Sequence, residues 1–316
     1  MPIKITTWNV QNFTKASTVY QEKLNYLKNT LQALGSDVVA LQEVLDADAL
    51  EELADALGFH AYAATPDGRH NRVAMLTRDQ AISTREINAW ILPPGESVHH
   101  FDSSGNVEIA TKFSRPALQV TLPYNGGELD IITAHMKSKL LTFGGHFSTT
   151  DESLRAQTAF YALQRRSAEA VSIREHASGL LADDRSLVIL GDFNDVHESA
   201  TTQLLYGPPG SQPKGPEDAD RASGAFQRSD QGDSQRLFNV TNLVDKDKRW
   251  TRKHNGEEEL LDHILASAQL MPRNQAGLRQ VPQVSILNDD SPNLTDSNPN
   301  VVGVVPDHAP VTAGFV

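Results

Sequence analysis

Cysteine is absent from all 316 residues. Disulfides, thiolate metal sites and a cysteine nucleophile are therefore excluded. Nor does any stretch approach the roughly 20 apolar residues of a membrane-spanning helix. The N-terminus, "MPIKITTWNV", has neither a long apolar region nor a small-residue cleavage site. As given, the sequence reads as cytoplasmic; a secreted or periplasmic protein would require a signal peptide already removed. Positive charge is also short: 28 Lys and Arg stand against 40 Asp and Glu, for a net charge of −12. Such a body is poorly suited to a general grip on a polyanion, though a local basic groove stays open to it. Aromatics, at 6%, and charged residues, at 22%, are at ordinary globular levels.

What is present is an alternation of strand and helix signals. "IKITTWNV" (3–10), "DVVALQEV" (37–44), "NRVAMLTR" (71–78), "ALQVTLP" (117–123), "ELDIITAHM" (128–136) and "SLVILGD" (186–192) read as strands. Further strands are expected at 259–267, 281–287 and 308–316. Helices are expected at 17–37, with Ser17 as cap and Gly35 as stop, at 46–58, and at 151–181. The alternation early and the strand pairs later point to mixed sheets with helices outside. The whole of 1–316 is expected to be one catalytic domain. Pro-, Gly- and polar-rich stretches near 93–106, 206–236 and 288–300 read as long loops.

Polar residues recur where strands end. Asn9 follows "KITTW", Glu43 follows "VVALQ", and His135 follows "DIITA". Asp192 and Asn194 follow "LVILG", Asp262 lies in "LLDHILAS", and Asp307 and His308 precede "APVTAGF". A sheet gathers its strand ends along one rim, where ligands bind. Carboxylates, amides and imidazoles without thiols suit a hard cation such as Mg²⁺ or Mn²⁺. Such a site is equipped for phosphoester hydrolysis. Asp192 and Asn194, at i and i+2 of an extended chain, would point the same way, with Phe193 turned into packing. Each piece alone also reads as a cap or a turn; the argument rests on the set and its order.

That set resembles the endonuclease/exonuclease/phosphatase superfamily. This group includes pancreatic-type deoxyribonuclease, AP endonucleases, neutral sphingomyelinases and inositol polyphosphate 5-phosphatases. The matching pieces are "TWNVQNF" (7–13), "LQEV" (41–44), "NRVAMLTR" (71–78), "AHMKSK" (134–139), "ILGDFND" (189–195), "LDHILAS" (261–267) and "PDHAPV" (306–311). They run the length of the chain. The resemblance implies a four-layer α/β sandwich: two mixed β-sheets packed face to face, with helices on the outer faces.

The resemblance also implies roles. Glu43 would be the metal carboxylate, helped by Asn9, with Asp307 as a further ligand. Asp192 would orient or deprotonate the attacking water, and Asn194 would contact water or phosphate. His308 would bind the scissile phosphate or act as base, paired with Asp262, and His135 would be a candidate acid for the leaving oxygen. The pattern is broken at two positions. Asn71 stands where deoxyribonucleases carry the Glu partner of that His, although the neighbouring Arg is matched by Arg72. Gln11 stands where AP endonucleases carry an Asp, which favours one metal ion over two. Arg72, Asn71, Lys137 and Lys139 are the expected contacts to substrate phosphate. The expected activity is metal-dependent hydrolysis of phosphodiesters, with nucleic acid as partner; small or lipid phosphoesters are the alternative. No obligate protein partner is evident.

Overall fold

The computed structural model describes residues 2–101, 106–141, 143, 149–207, 235–272, 280–295 and 302–316. The strands are β1 (Ile3–Phe13), β2 (Val38–Val44), β3 (His60–Ala63), β4 (Arg72–Thr77), β5 (Ser83–Ile87), β6 (Val98–Phe101), β7 (Val107–Ala110), β8 (Ala117–Tyr124) and β9 (Gly127–His135). They continue with β10 (Ser186–Asp192), β11 (Leu237–Asn239), β12 (Arg252–His254), β13 (Glu257–Glu259), β14 (Asp262–Ser267), β15 (Gln283–Ile286), β16 (Asn293–Leu294) and β17 (Val311–Phe315). The helices are α1 (Tyr20–Leu34), α2 (Ala47–Leu57), α3 (Glu152–Ala182) and α4 (Ala200–Tyr206).

Twelve of these strands form two six-stranded sheets, ordered β15-β17-β1-β2-β4-β3 and β11-β14-β10-β9-β8-β5. Each has a parallel pair at its centre, β1 with β2 and β9 with β10, flanked by antiparallel neighbours. Side chains that alternate along a strand explain the layering. Val38 and Ala40 of the first sheet pack toward Val188, Leu190 and Ile131 of the second, forming the central core. Val39 and Leu41 point the other way, onto Leu24, Leu27 and Leu31 of α1 and Leu50 and Leu53 of α2. Ile132, Leu187 and Ile189 do the same toward Ile173, Ala177 and Leu181 of α3. Helix, sheet, sheet, helix is the four-layer sandwich expected.

Local signals account for the helix ends. Asp46 caps α2 by accepting from the Asp48 amide at 2.9 Å, and Gly58 ends it in a left-handed conformation. Gly35 ends α1 in the same way. Ser17 does not cap it: its hydroxyl accepts from the Val19 amide at 3.3 Å, and the helix begins at Tyr20.

Several segments differ from expectation. The stretch 259–267 is not one strand: Glu259 ends β13 and β14 begins at Asp262, with the Thr251 hydroxyl accepting the amides of Leu261 and Asp262 at the break. His308 lies before β17, in an isolated bridge with Arg252. The supposed loops are partly ordered: β6 falls within 93–106 and β16 within 288–300. Most of 206–236, and parts of the other two loops, lie outside the described residues.

Candidate active site

In both central parallel pairs the strand C-termini reach the same rim. The antiparallel neighbours β14 and β17 start there, which brings the polar strand ends together. Asp192 sits opposite His135 on one side and Asp262 on the other. The His308 ring donates from Nδ1 to Asp262 Oδ2 at 2.6 Å, while its Nε2 lies 4.0 Å from Asp192 Oδ2. His135 Nε2 lies 3.5 Å from that same oxygen. Asn9 joins the halves: its Nδ2 donates to Asp192 Oδ2 at 3.0 Å and to Glu43 Oε1 at 3.2 Å.

The first sheet shapes its contribution by breaking its own ladder. β1 and β2 lose register between Asn9 and Phe13, and β2 and β4 between Leu41 and Val44. Within these bulges Gln11, Asn12 and Glu43 have positive φ. Backbone strain of this kind, about 1–3 kcal/mol per residue, persists only where surroundings enforce it. Here the enforcement is visible. The Asn12 amide donates to Glu43 Oε2 at 3.1 Å, and the Gln11 amide to Asn9 Oδ1 at 3.0 Å. The buried ammonium of Lys23 donates to the Gln11 carbonyl at 2.7 Å and to that of Gly303 at 3.3 Å.

Asn194 does not extend the strand as expected. It adopts φ of 53°, its amide donating to Asp192 Oδ1 at 2.9 Å and its Nδ2 to the Met136 carbonyl at 3.1 Å. Phe193 is buried, as expected. Gly191 admits no other residue, because a Cβ there would collide with the Ala134 carbonyl oxygen of β9.

Electrostatics separate the groups. Burial pushes Asp192 up to about 7, Asp262 adding to the shift and His308 opposing it. Burial works against charge on His308, but Asp262, Asp192 and Asp307 together outweigh it and raise it to about 10. His135 falls well below its ordinary value through burial, then through the charges of Arg115, His308 and Lys137. Glu43 is raised by burial and by the like charge of Asp307. A carboxylate whose charge is disfavoured by burial and by a like-charged neighbour is one that a bound cation would stabilise. Glu43 also faces the cavity beside the site. Asp192, Asp262 and His308 form a second metal-competent group, with donor atoms within 4.8 Å of one another.

The expected phosphate contacts divide. Asn71 and Lys137 line the cavity. Arg72 turns to the Leu45 carbonyl, and Lys139 pairs with Asp195 at 3.4 Å and Glu259 at 3.7 Å. Asn71 Oδ1 and His135 Nδ1 are both buried without hydrogen-bond partners, so Asn71 does not stand in for the Glu partner of that ring.

Four residues that hold the site's groups in place escape sequence reading. Arg115 lines the cavity and donates to the carbonyls of His135 and Met136 at 3.2 Å. Trp8 Nε1 holds the His308 carbonyl at 2.8 Å. Thr251 accepts from the Asp262 amide and, through its carbonyl, from that of Ala309. Lys23 is the fourth. Trp8 stands inside a motif and was legible in principle; the others lie in stretches without a distinguishing pattern.

Known proteins share this architecture. The TDP2 structure from Caenorhabditis elegans matches at 14% identity and a TM-score of 0.56, covering 100% of this chain and 74% of its own. The human Nocturnin catalytic domain with bound sulfate anion matches at 15% and 0.55, covering 100% and 94%. A functionally unknown conserved protein from Enterococcus faecalis V583 matches at 18% and 0.56, covering 99% of each chain. No curated protein matches the chain. The signature of the Endonuclease/Exonuclease/phosphatase family spans residues 6–285. A rim of carboxylates, amides and imidazoles on a shared fold, under a signature that covers most of the sequence, places this chain in the Endonuclease/Exonuclease/phosphatase family of metal-dependent phosphoester hydrolases.

Proposed function

We propose that the protein is a divalent-metal-dependent phosphodiesterase of nuclease type, hydrolysing nucleic acid by attack of water. The observation that carries this reading is the Asp262–His308–Asp192 chain beside a cavity lined by several cations. A metal ion, Mg²⁺ or Mn²⁺, would be held by Glu43 with help from Asn9 and Asp307, and one ion suits the donor set. When bound it neutralises phosphate charge.

The remaining steps belong to the protein. Asp192 has its oxygens fixed by Asn9 and the Asn194 amide, and takes the proton from the attacking water. Its raised value makes it a usable base near neutral pH. His308, kept charged and oriented by Asp262, presents Nε2 to a non-bridging phosphate oxygen. His135 stays neutral, so its role is that of a hydrogen-bond partner at the leaving oxygen rather than a charged acid. Arg115 and Lys137 supply phosphate contacts. The Asp192–Asp262–His308 group is assigned to proton handling because its closest pair is already joined by a 2.6 Å hydrogen bond.

The alternative, hydrolysis of small or lipid phosphoesters, uses the same rim. Among the described residues no helix is long and apolar enough to cross a membrane, an observation neutral between the two. A panel of plasmid DNA, single-stranded DNA, RNA, bis-p-nitrophenyl phosphate and sphingomyelin, with Mg²⁺, Mn²⁺ or EDTA, separates them. Metal-dependent cleavage of nucleic acid is expected. Turnover of sphingomyelin or the small diester alone would replace the nuclease reading.

A further inference from the structure

The cavity beside Glu43 and His135 has a volume of about 950 Å³. That is within the range of pockets for drug-sized ligands, and much larger than a single phosphate needs. Arg69, Arg115, Lys137 and Arg165 line it, against only two carboxylates, Glu43 and Asp67. In a chain of net charge −12 this is a local reversal of sign.

The cations outnumber their acceptors. Glu43 belongs to the catalytic rim. Asp67 already accepts the amides of Arg69 at 2.8 Å and Asn71 at 3.0 Å, and lies 3.6 Å from Arg115. The Lys137 ammonium donates to the carbonyls of Ser138 and Leu140, at 3.0 and 3.2 Å. Arg165 Nε is buried with no hydrogen-bond partner, and Glu169 stands 4.0 Å away. Glu169 is itself occupied by the Ser114 hydroxyl and the Lys137 amide. Burial and the neighbouring arginines push Lys137 down to about 8. Partly desolvated cations in excess of carboxylates are what an absent anion would offset.

Part of the lining is aromatic. Phe101 of β6 meets Tyr161 of α3 edge to face, with ring centroids 4.9 Å apart. The strand that carries Phe101 is pinned to α3. The Gln164 side chain accepts from the His99 amide at 3.0 Å and donates to the Ser97 carbonyl at 3.1 Å, and Val98 is buried beside Ala168. The rings are thus placed by the fold.

We propose that this cavity is a nucleotide subsite. Its cations hold a phosphate adjacent to the one being cleaved, and the Phe101–Tyr161 wall packs against the base. Aromatic side chains beside a cationic track are a general means of holding single-stranded nucleic acid, because every base offers a π-face. The proposal rests on the nuclease reading and narrows it to substrates that present an unpaired nucleotide next to the scissile bond.

The test is calorimetric binding of adenosine 5′-monophosphate in EDTA, which removes any metal-held phosphate from the measurement. Wild type should bind the nucleotide at least about tenfold more tightly than ribose 5-phosphate or inorganic phosphate, in line with the usual contribution of base stacking. Arg165→Gln and Tyr161→Ala should each weaken nucleotide binding about tenfold, and Arg165→Lys should recover part of the loss. In both weakened variants, kcat/KM for a phosphorylated dinucleotide should fall at least tenfold relative to bis-p-nitrophenyl phosphate. Equal affinity in wild type and variants would overturn the subsite. So would ribose 5-phosphate binding as tightly as the nucleotide, or an equal loss on both substrates. Nucleotide binding that follows the variants, in an enzyme that cleaves no nucleic acid, would sink the nuclease reading and leave the subsite standing.

Discussion

Both sheets centre on a parallel pair, but the two pairs reach the site differently. β9 and β10 keep register from Ser186–Leu129 through Asp192–His135. β1 and β2 keep it only to Asn9–Gln42, then bulge before pairing again at Phe13–Val44. The regular half presents Asp192, the proposed base, with Asp262 and His135 on either side of it. The bulged half presents Asn9 and Glu43, the groups assigned to the metal. Ordered ladders fix a side chain by the pleat alone, whereas a bulge re-aims it at the cost of strain that neighbours must offset. Gln42, buried between the sheets, ties the halves through hydrogen bonds to Thr7 and Thr133, each at 3.1 Å.

If the halves divide the work in this way, their variants should fail differently. Asp192→Asn should lower hydrolysis by about 10³-fold or more at every metal concentration, with little change in Tm; a loss cured by excess metal would break the division. Glu43→Gln should instead raise the metal concentration for half-maximal rate about tenfold or more, with much of the rate returning at saturation. A metal titration of both proteins reads the difference.

His308 tests whether the regular half is one unit. His308→Ala strands the carboxylate of Asp262, which is fully buried, and should cost stability of about 3 kcal/mol as well as activity. Adding Asp262→Ala should restore stability and not activity, a double-mutant cycle measured by urea unfolding. In the bulged half, Lys23→Met removes the donor to Gln11 and Gly303 and should cost about 2 kcal/mol. Its metal requirement should rise too, because the bulge that carries Asn12 loses its anchor.

The last effect is one of pH, confined to the acid side. His263, behind Asp195, is buried, its Nε2 donating to the Asp195 carbonyl and its Nδ1 accepting from Asn239. Burial lowers it from 6.5 to about 4. The unfolded chain takes up this proton near pH 6.5 and the folded chain only near 4. The contribution is complete above 6.5 and is lost as the pH falls toward 4, by about 3 kcal/mol for this group. Unfolding of wild type and His263→Asn between these pH values should show a shallower acid limb in the variant.

The contrast between the halves also marks what the sequence makes legible. "LVILGD" has the apolar run of a strand buried on both faces, so its end, and hence Asp192, could be located; the family motifs did the same for His135, Asp262 and His308. The bulges left no such trace, since Gln11, Asn12 and Glu43 are ordinary residues whose positive φ is enforced by partners distant in sequence. Asn194 was read as extended for the same reason: an amide caught by the Asp192 side chain overrides the period of the strand. Arg115, Arg165 and Lys23 were not identifiable, because a lone basic residue on a helix or before a strand looks like surface until packing buries it. The strand expected over 259–267 failed where Thr251 interrupts it.

Hydrolysis of bis-p-nitrophenyl phosphate by wild type and Asp192→Asn, each with Mg²⁺, Mn²⁺ or EDTA, tests the central claim most directly. The account predicts a metal-dependent rate that EDTA abolishes and that Asp192→Asn lowers about 10³-fold. A rate that survives EDTA, or that Asp192→Asn leaves unchanged, would contradict it.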